Sequence, residues 1–172
     1  GSVLGSQDME QLERLTRNTD IIVLSDEVYE HLIFDGIQHQ SISRYPELAK
    51  RSIAIGSFGK TFHATGWKIG FALAPSKLMA EFRKVHQWMV FAVNTPIQMA
   101  MADYLANENN FLSLPAFYQQ KRDRFVDLIK ESRFRIIPSH GTYFQCLDYS
   151  AISSDNDLSF AKMLTAKHKI AS

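Results

Sequence analysis

The sequence predicts an α/β fold, and three observations predict it. Short β-branched runs such as Ile21-Ile22-Val23-Leu24 are continuous rather than alternating, which suits strands buried on both faces of a parallel sheet. The stretches that precede and follow the strands repeat apolar residues at helical spacing. After the longest of them, strands return around a Pro-to-Gly turn, the texture of a separate α+β unit. The expected division is residues 1–125 for the α/β layer and 126–172 for the end of a linking helix and the opening of the second unit.

Met9, Leu12 and Leu15 mark one face of a first helix, with Ser6 as its N-cap. Asn18-Thr19-Asp20 breaks that pattern before the first strand, and Ser25-Asp26-Glu27 closes the strand. A loop-rich stretch follows, with one short helix from Pro46 to Arg51 that has proline in first position. Ser52–Gly56 and Phe71–Ala74 read as the second and third strands. Leu78, Phe82, Val85 and Met89 then predict a helix capped by Ser76. Thr95-Pro96 opens another, with Ile97, Met101, Tyr104 and Leu105 on its inner face. Leu114, Phe117, Tyr118, Phe125, Leu128 and Ile129 define the longest helix, to about Glu131. Strands are expected at Phe134–Ile137 and Thr142–Leu147 around Pro138–Gly141. A last helix begins near Asp157 and turns Leu158, Ala161 and Leu164 inward.

Composition excludes several classes. The 172 residues are 45% hydrophobic and 22% charged, with 8 glycines and 5 prolines, which rules out collagen-like and wholly disordered chains. Nineteen basic against eighteen acidic residues give a net charge of +1, so charge argues for neither nucleic acid nor membrane as partner. No apolar run reaches the ~20 residues of a membrane span, and no signal peptide is visible. The single cysteine, Cys146, cannot form an internal disulfide. A soluble, cytoplasmic protein is expected.

Two strand ends carry residues with chemistry, and open α/β sheets bind ligands beyond the carboxyl ends of their strands. The first end holds Asp26, Glu27 and Tyr29. The second holds Ser57-Phe58-Gly59-Lys60-Thr61, followed by Gly66-Trp67-Lys68. A lysine there can hold a phosphate as a point charge or attack a carbonyl once deprotonated. Gly59-Lys60-Thr61 also ends like a P-loop, which would make the protein a nucleotidase. That motif needs a glycine where Ala54 stands, and the acidic strand comes first rather than second.

The covalent reading uses more of the residues. A lysine-linked pyridoxal phosphate needs an amine for the Schiff base, an acid at the pyridine nitrogen, a donor at the ring hydroxyl and donors around the phosphate. Lys60, Asp26, Tyr29, and Ser57 with Lys68 meet these needs in that order. A lysine with an ordinary pKa of about 10.4 must be lowered by burial or a cationic neighbour to act as base, and Lys68 is a candidate neighbour.

Asp26-Glu27-Val28-Tyr29, Ser57-Phe58-Gly59-Lys60-Thr61-Phe62 and Thr65-Gly66-Trp67-Lys68-Ile69-Gly70 resemble the class I/II aminotransferases of pyridoxal phosphate (PLP) fold type I. Val93-Asn94-Thr95-Pro96-Ile97-Gln98 and His140-Gly141-Thr142-Tyr143-Phe144 agree. With Lys84-Val85-His86-Gln87, the pattern is most similar to the kynurenine, glutamine and methionine aminotransferase branch. The resemblance implies that Lys60 forms the Schiff base, Asp26 pairs with the ring nitrogen, Tyr29 donates to the ring hydroxyl, and Ser57 and Lys68 bind the phosphate. Lys68 stands where many relatives carry Arg, keeping the charge but not the bidentate fork.

The resemblance further implies a partial chain, the later part of the large cofactor domain sheet with its helices plus the start of the α+β small domain, inactive by itself. The parent would be a homodimer moving an amino group between an aromatic, sulfur-containing or glutamine-type amino acid and a 2-oxo acid. A fold type I β-lyase or decarboxylase is the alternative.

The remaining candidates have bland readings. The six histidines show no zinc-binding spacing and read as structural or exposed, and no metal site is expected. Cys146 reads as core rather than nucleophile, and Met89, Met99 and Met101 as packing residues. Tyr143 lines the substrate side by that resemblance, and a place in a sheet explains it equally well.

Overall fold

The computed structural model describes the whole chain, Gly1–Ser172. Helix α1 (Ser6–Thr16) is capped by Gly5, whose backbone N–H donates to the Asp8 carboxylate at 2.7 Å. The expected cap, Ser6, is therefore the first helical residue. Strand β1 (Val23–Asp26) begins later than the apolar run and reaches Asp26 itself. Helix α2 (Pro46–Ala49) is a single turn with proline at its start. Strand β2 (Ser52–Ser57) lies parallel to β1, with Leu24 opposite Ile53 and Asp26 opposite Ile55.

A turn of helix, α3 (Phe58–Thr61), follows β2 directly, and β3 (Gly70–Leu73) returns antiparallel on the other side of β2. The three-stranded sheet is thus mixed, in the order β1-β2-β3. The β2–β3 connection holds only α3 and the 3-10 turn Thr65–Trp67, with no crossover helix to make β3 parallel. Gly70 permits the close pairing: a Cβ there would stand 2.5 Å from the Gly56 carbonyl oxygen.

Helices α4 (Ser76–Met89), α5 (Thr95–Leu105), α6 (Asn109–Leu112) and α7 (Leu114–Ile129) follow. Asn94 caps α5 by accepting the Ile97 N–H at 3.2 Å. Pro75, not Ser76, precedes α4. A second sheet pairs β4 (Arg135–Ile136) with β5 (Leu147–Asp148), far shorter than the strands expected. Its hairpin is held across by the Arg135–Asp148 ion pair at 2.5 Å. Helix α8 (Asp157–Met163) closes the order and runs into a five-residue π-helical turn, Leu164–His168.

The core is small. Met9, Ile42, Leu48 and Ala54 form its buried cluster, with Leu12, Val23 and Tyr45 packed against it. The most deeply buried side chains, Leu32, Phe34, Ile42 and Leu48, all belong to the connection between β1 and β2. Several expectations are corrected by exposure. Ile21, Ile22 and Leu24 are more than half exposed, so β1 is not covered on both faces. Tyr104, Met89 and Met99 face solvent, and α4 and α7 have no buried residue. Leu158 is exposed while its neighbour Phe160 is buried, stacked on Tyr149 at 4.3 Å. Cys146 is exposed rather than core, because the strand expected to bury it does not form. No helix is long and apolar enough to cross a membrane.

Candidate active site

Parallel pairing of β1 and β2 brings their carboxyl ends, Asp26 and Ser57, to one edge. Asp26 ends β1 and is exposed; one of its carboxylate oxygens accepts the Val28 N–H at 3.4 Å. The turn beyond it is closed by the Leu32 N–H donating to the Tyr29 carbonyl at 2.9 Å, which leaves the Tyr29 ring half-buried. Ser57 ends β2, and its hydroxyl caps α3 by accepting the Lys60 N–H at 3.3 Å. Lys60 therefore projects from the turn of helix that leaves the sheet edge. The residue is half-buried, and its amine takes part in none of the chain's ion pairs.

Lys68 is delivered by the return of the chain. The Thr65–Trp67 turn folds back over α3, and the Gly59 N–H donates to the Ile69 carbonyl at 3.4 Å. Gly59 is needed for this approach, since a Cβ there would lie 3.1 Å from the Thr65 Cα. Lys68 takes a left-handed backbone with φ +54° and is exposed. A non-glycine residue in that region is uncommon and is kept where the surroundings demand it.

The five residues do not share one hollow. Asp26 and Tyr29 line a cleft of about 350 Å³ together with Glu30, Ile33 and Thr142. Ser57 lines a neighbouring hollow of about 180 Å³ with Phe58, Phe71 and Phe111, and Glu30 borders both. Lys60 and Lys68 border neither.

The acid pair separates into two fates. Glu27 is buried and fully engaged: its carboxylate accepts the Ser25 hydroxyl at 2.8 Å and the Ile42 N–H at 2.9 Å, and meets the His39 ring at 2.9 Å. Burial pushes its pKa up, but the bonds from His39, the Ile42 N–H, Ser41 and Ser25 outweigh it and bring the carboxyl down to about 2. Glu27 thus anchors the connection after β1, while Asp26 keeps its carboxylate open to a ligand.

Sequence reasoning missed an aromatic group at this edge. The Tyr29 hydroxyl donates to that of Tyr143 at 3.4 Å, and the Tyr118 hydroxyl meets the His63 ring at 3.1 Å. Burial, then Tyr143, then the charge of Asp26 push the Tyr29 phenol up to about 12. The only signal in the sequence was Tyr143 in a segment that resembles the family.

The donor set suits pyridoxal phosphate. An open carboxylate, a neutral phenol, an unpaired amine, a capping hydroxyl and an exposed ammonium offer partners for its ring nitrogen, ring hydroxyl, aldehyde and phosphate.

A family model described as aminotransferase class I and II matches residues 1–172. The chain belongs to that family, and its fold is that of the fold type I enzymes, which depend on pyridoxal phosphate. Methionine aminotransferase of Escherichia coli (strain K12) is 50% identical over 153 residues, covering 88% of this chain and 40% of the relative. Human kynurenine–oxoglutarate transaminase 1 is 35% identical over 158 residues, covering 87% and 37%. An Escherichia coli crystal structure with a methionine aminotransferase function superposes with TM-score 0.95 at 47% identity, over 99% of this chain and 45% of that one. A double mutant of Thermus thermophilus aspartate aminotransferase gives TM-score 0.82 at 26% identity, over 93% and 42%. The chain spans about 40% of the length of the curated relatives it matches. The β-lyase, decarboxylase and P-loop alternatives are not favoured.

Proposed function

We propose that this chain carries the lysine side of a PLP-dependent transaminase site that moves the α-amino group of an amino acid to a 2-oxo acid. The carrying observation is the unpaired amine of Lys60 just past the end of β2, with the open carboxylate of Asp26 at the same end of the parallel neighbour β1. Bound there, pyridoxal phosphate supplies an aldehyde for the amino group and a ring that accepts the α-carbon electron pair. The chain's residues do the rest. Asp26 accepts the ring N–H, Tyr29 donates to the ring oxygen, and Ser57 and Lys68 hold the phosphate. Lys60 would take the α-proton and hold it for return.

Methionine and other sulfur-containing or aromatic amino acids are the proposed donors, supported by the 50% identical methionine aminotransferase. Residues 1–125 are proposed as part of the cofactor domain and 126–172 as the opening of a small domain, since the second sheet lies wholly in the latter. A cytoplasmic homodimer is the proposed working form. Incubation with PLP, borohydride reduction and peptide mapping test the site. Label at Lys60 is expected; label elsewhere, or none in a protein of the relatives' full length, overturns the reading. Turnover of methionine with a 2-oxo acid tests the substrate.

A further inference from the structure

We propose that Tyr143 is a positioning residue for Tyr29, fixing the phenol that the site uses as a hydrogen-bond donor; this rests on the reading of Tyr29 given above. The two rings meet edge to face, with centroids 5.2 Å apart and planes at 86°. Phe144 meets the same Tyr29 ring at 6.1 Å and 88°. Perpendicular contacts from consecutive residues restrict rotation of the Tyr29 ring. The hydroxyl oxygens are 3.4 Å apart, beyond the usual O–H···O range of about 2.5–3.0 Å, so the contact is weak as it stands and a small movement of either ring closes it.

The backbone makes this buttress possible. The Thr142 N–H donates to the Leu32 carbonyl at 2.8 Å, and Ile33 pairs with Gly141 in an antiparallel bridge. Residues 141–144 are therefore fastened to the segment that follows Tyr29. Thr142 holds a left-handed backbone, φ +67°, immediately before Tyr143. Tyr143 is 40% exposed, so core packing does not account for its placement. Tyr118 extends the group, its ring 6.0 Å from Tyr143 and its hydroxyl on His63, in the loop just after α3 and Lys60.

A phenol both donates and accepts. When Tyr29 turns its proton to a ligand, Tyr143 can donate to the Tyr29 oxygen, which strengthens the outgoing bond. Burial and Tyr143 already raise the Tyr29 phenol, so it stays protonated at neutral pH.

Tyr143→Phe tests this, because it removes one oxygen from a partly exposed side chain and keeps the ring. Two readouts are needed. The first is ultraviolet titration of the phenols in the cofactor-free chain, with Tyr29→Phe identifying the Tyr29 step. The second is the pH midpoint of the bound cofactor's absorption band in the loaded protein. Tyr143→Phe should lower the Tyr29 midpoint by about half a unit or more and shift the band midpoint. Phe144→Leu, which leaves both hydroxyls but removes one ring contact, should move the Tyr29 midpoint less than Tyr143→Phe does. An unchanged Tyr29 midpoint overturns the proposal, as does a band that does not move. Failure to label Lys60 would overturn the transaminase reading instead, and the cofactor-free titration would still decide the pairing of Tyr143 with Tyr29.

Discussion

Arg122 on α7 grips the carboxylate of Asp35 through both terminal nitrogens, at 2.6 and 2.7 Å, although the residues are 87 apart in sequence. The same guanidinium donates to the Ser139 carbonyl at 2.6 Å and lies 5.0 Å from the Phe34 ring centroid. His140 adds a bond to Asp35 at 3.0 Å. The bonds from Arg122, then His140, hold the Asp35 carboxyl well below the usual range. The loop after β1, the long helix and the turn before Tyr143 are therefore tied at one point.

Arg122→Ala should lower stability by about 1–2 kcal/mol, measured as a shift in the denaturant midpoint. The figure stays below that of a fully buried pair because the Asp35 side chain is 35% exposed and screened. Arg122→Lys should recover only part of the loss, since an ammonium cannot match the two-pronged contact.

Glu27 should give the fold an acid-sensitive step. Its folded pKa of about 2 lies below the ordinary 4.5, so the stabilisation is complete above the ordinary value and is lost as pH falls toward 2. The difference is on the order of 3 kcal/mol. Denaturant midpoints at about pH 5 and about pH 2.5 should converge in Glu27→Gln relative to the parent. Equal pH dependence in both proteins would show that Glu27 does not set the step.

Gly70→Ala should separate β2 from β3. The new methyl would meet the Gly56 carbonyl oxygen, a backbone atom that cannot rotate away. Overpacking of this kind costs about 1–3 kcal/mol. Because Gly70 pairs with Ser57, the change should also slow borohydride-trapped PLP attachment at Lys60, one turn beyond. A lower melting temperature with normal attachment would separate fold from site.

Asp26→Asn should leave PLP attachment at Lys60 largely intact while lowering turnover by about 100-fold or more, because the charge proposed to face the ring nitrogen is lost and the side chain's size is kept. Comparing the extent of labelling with kcat separates the two effects.

What the sequence showed and what it hid divide along physical lines. Asp26 and Ser57 end strands and Lys60 lies in the helical turn that follows one, and strands of this kind are marked by local apolar runs that need no distant partner to be recognised. The bonds of Glu27 to His39 and Ile42 close loops of 12 and 15 residues, and the Tyr29–Tyr143 contact spans 114. No periodicity encodes such closures. Misreadings of burial have a related cause. Ile22, Leu24 and Trp88 have core chemistry, yet nothing in these 172 residues lies over them, and they are exposed by 56%, 66% and 86%. The strand expected at Thr142–Leu147 fails for another reason: Gly141 just before it bridges Ile33, the Thr142 N–H is given to Leu32, and Tyr143 and Phe144 pack on Tyr29.

The connection between β1 and β2 has little regular structure, and loops of that kind are ordinarily where proteases cut first. Here that path holds Leu32, Phe34, Ile42 and Leu48, the least accessible side chains of the chain, with Glu27 accepting the Ile42 N–H and Gln119 the Asp35 N–H. A protease must draw a stretch of chain into its own groove, and this one cannot be drawn out without emptying the core. Under limited digestion the stretches around Leu32 and Ile42–Leu48 should survive, and nicking should begin instead at exposed Ala106–Glu108 between α5 and α6 or at the exposed tip Asp35–Gln38. An irregular path is thus protected wherever its side chains fill the core.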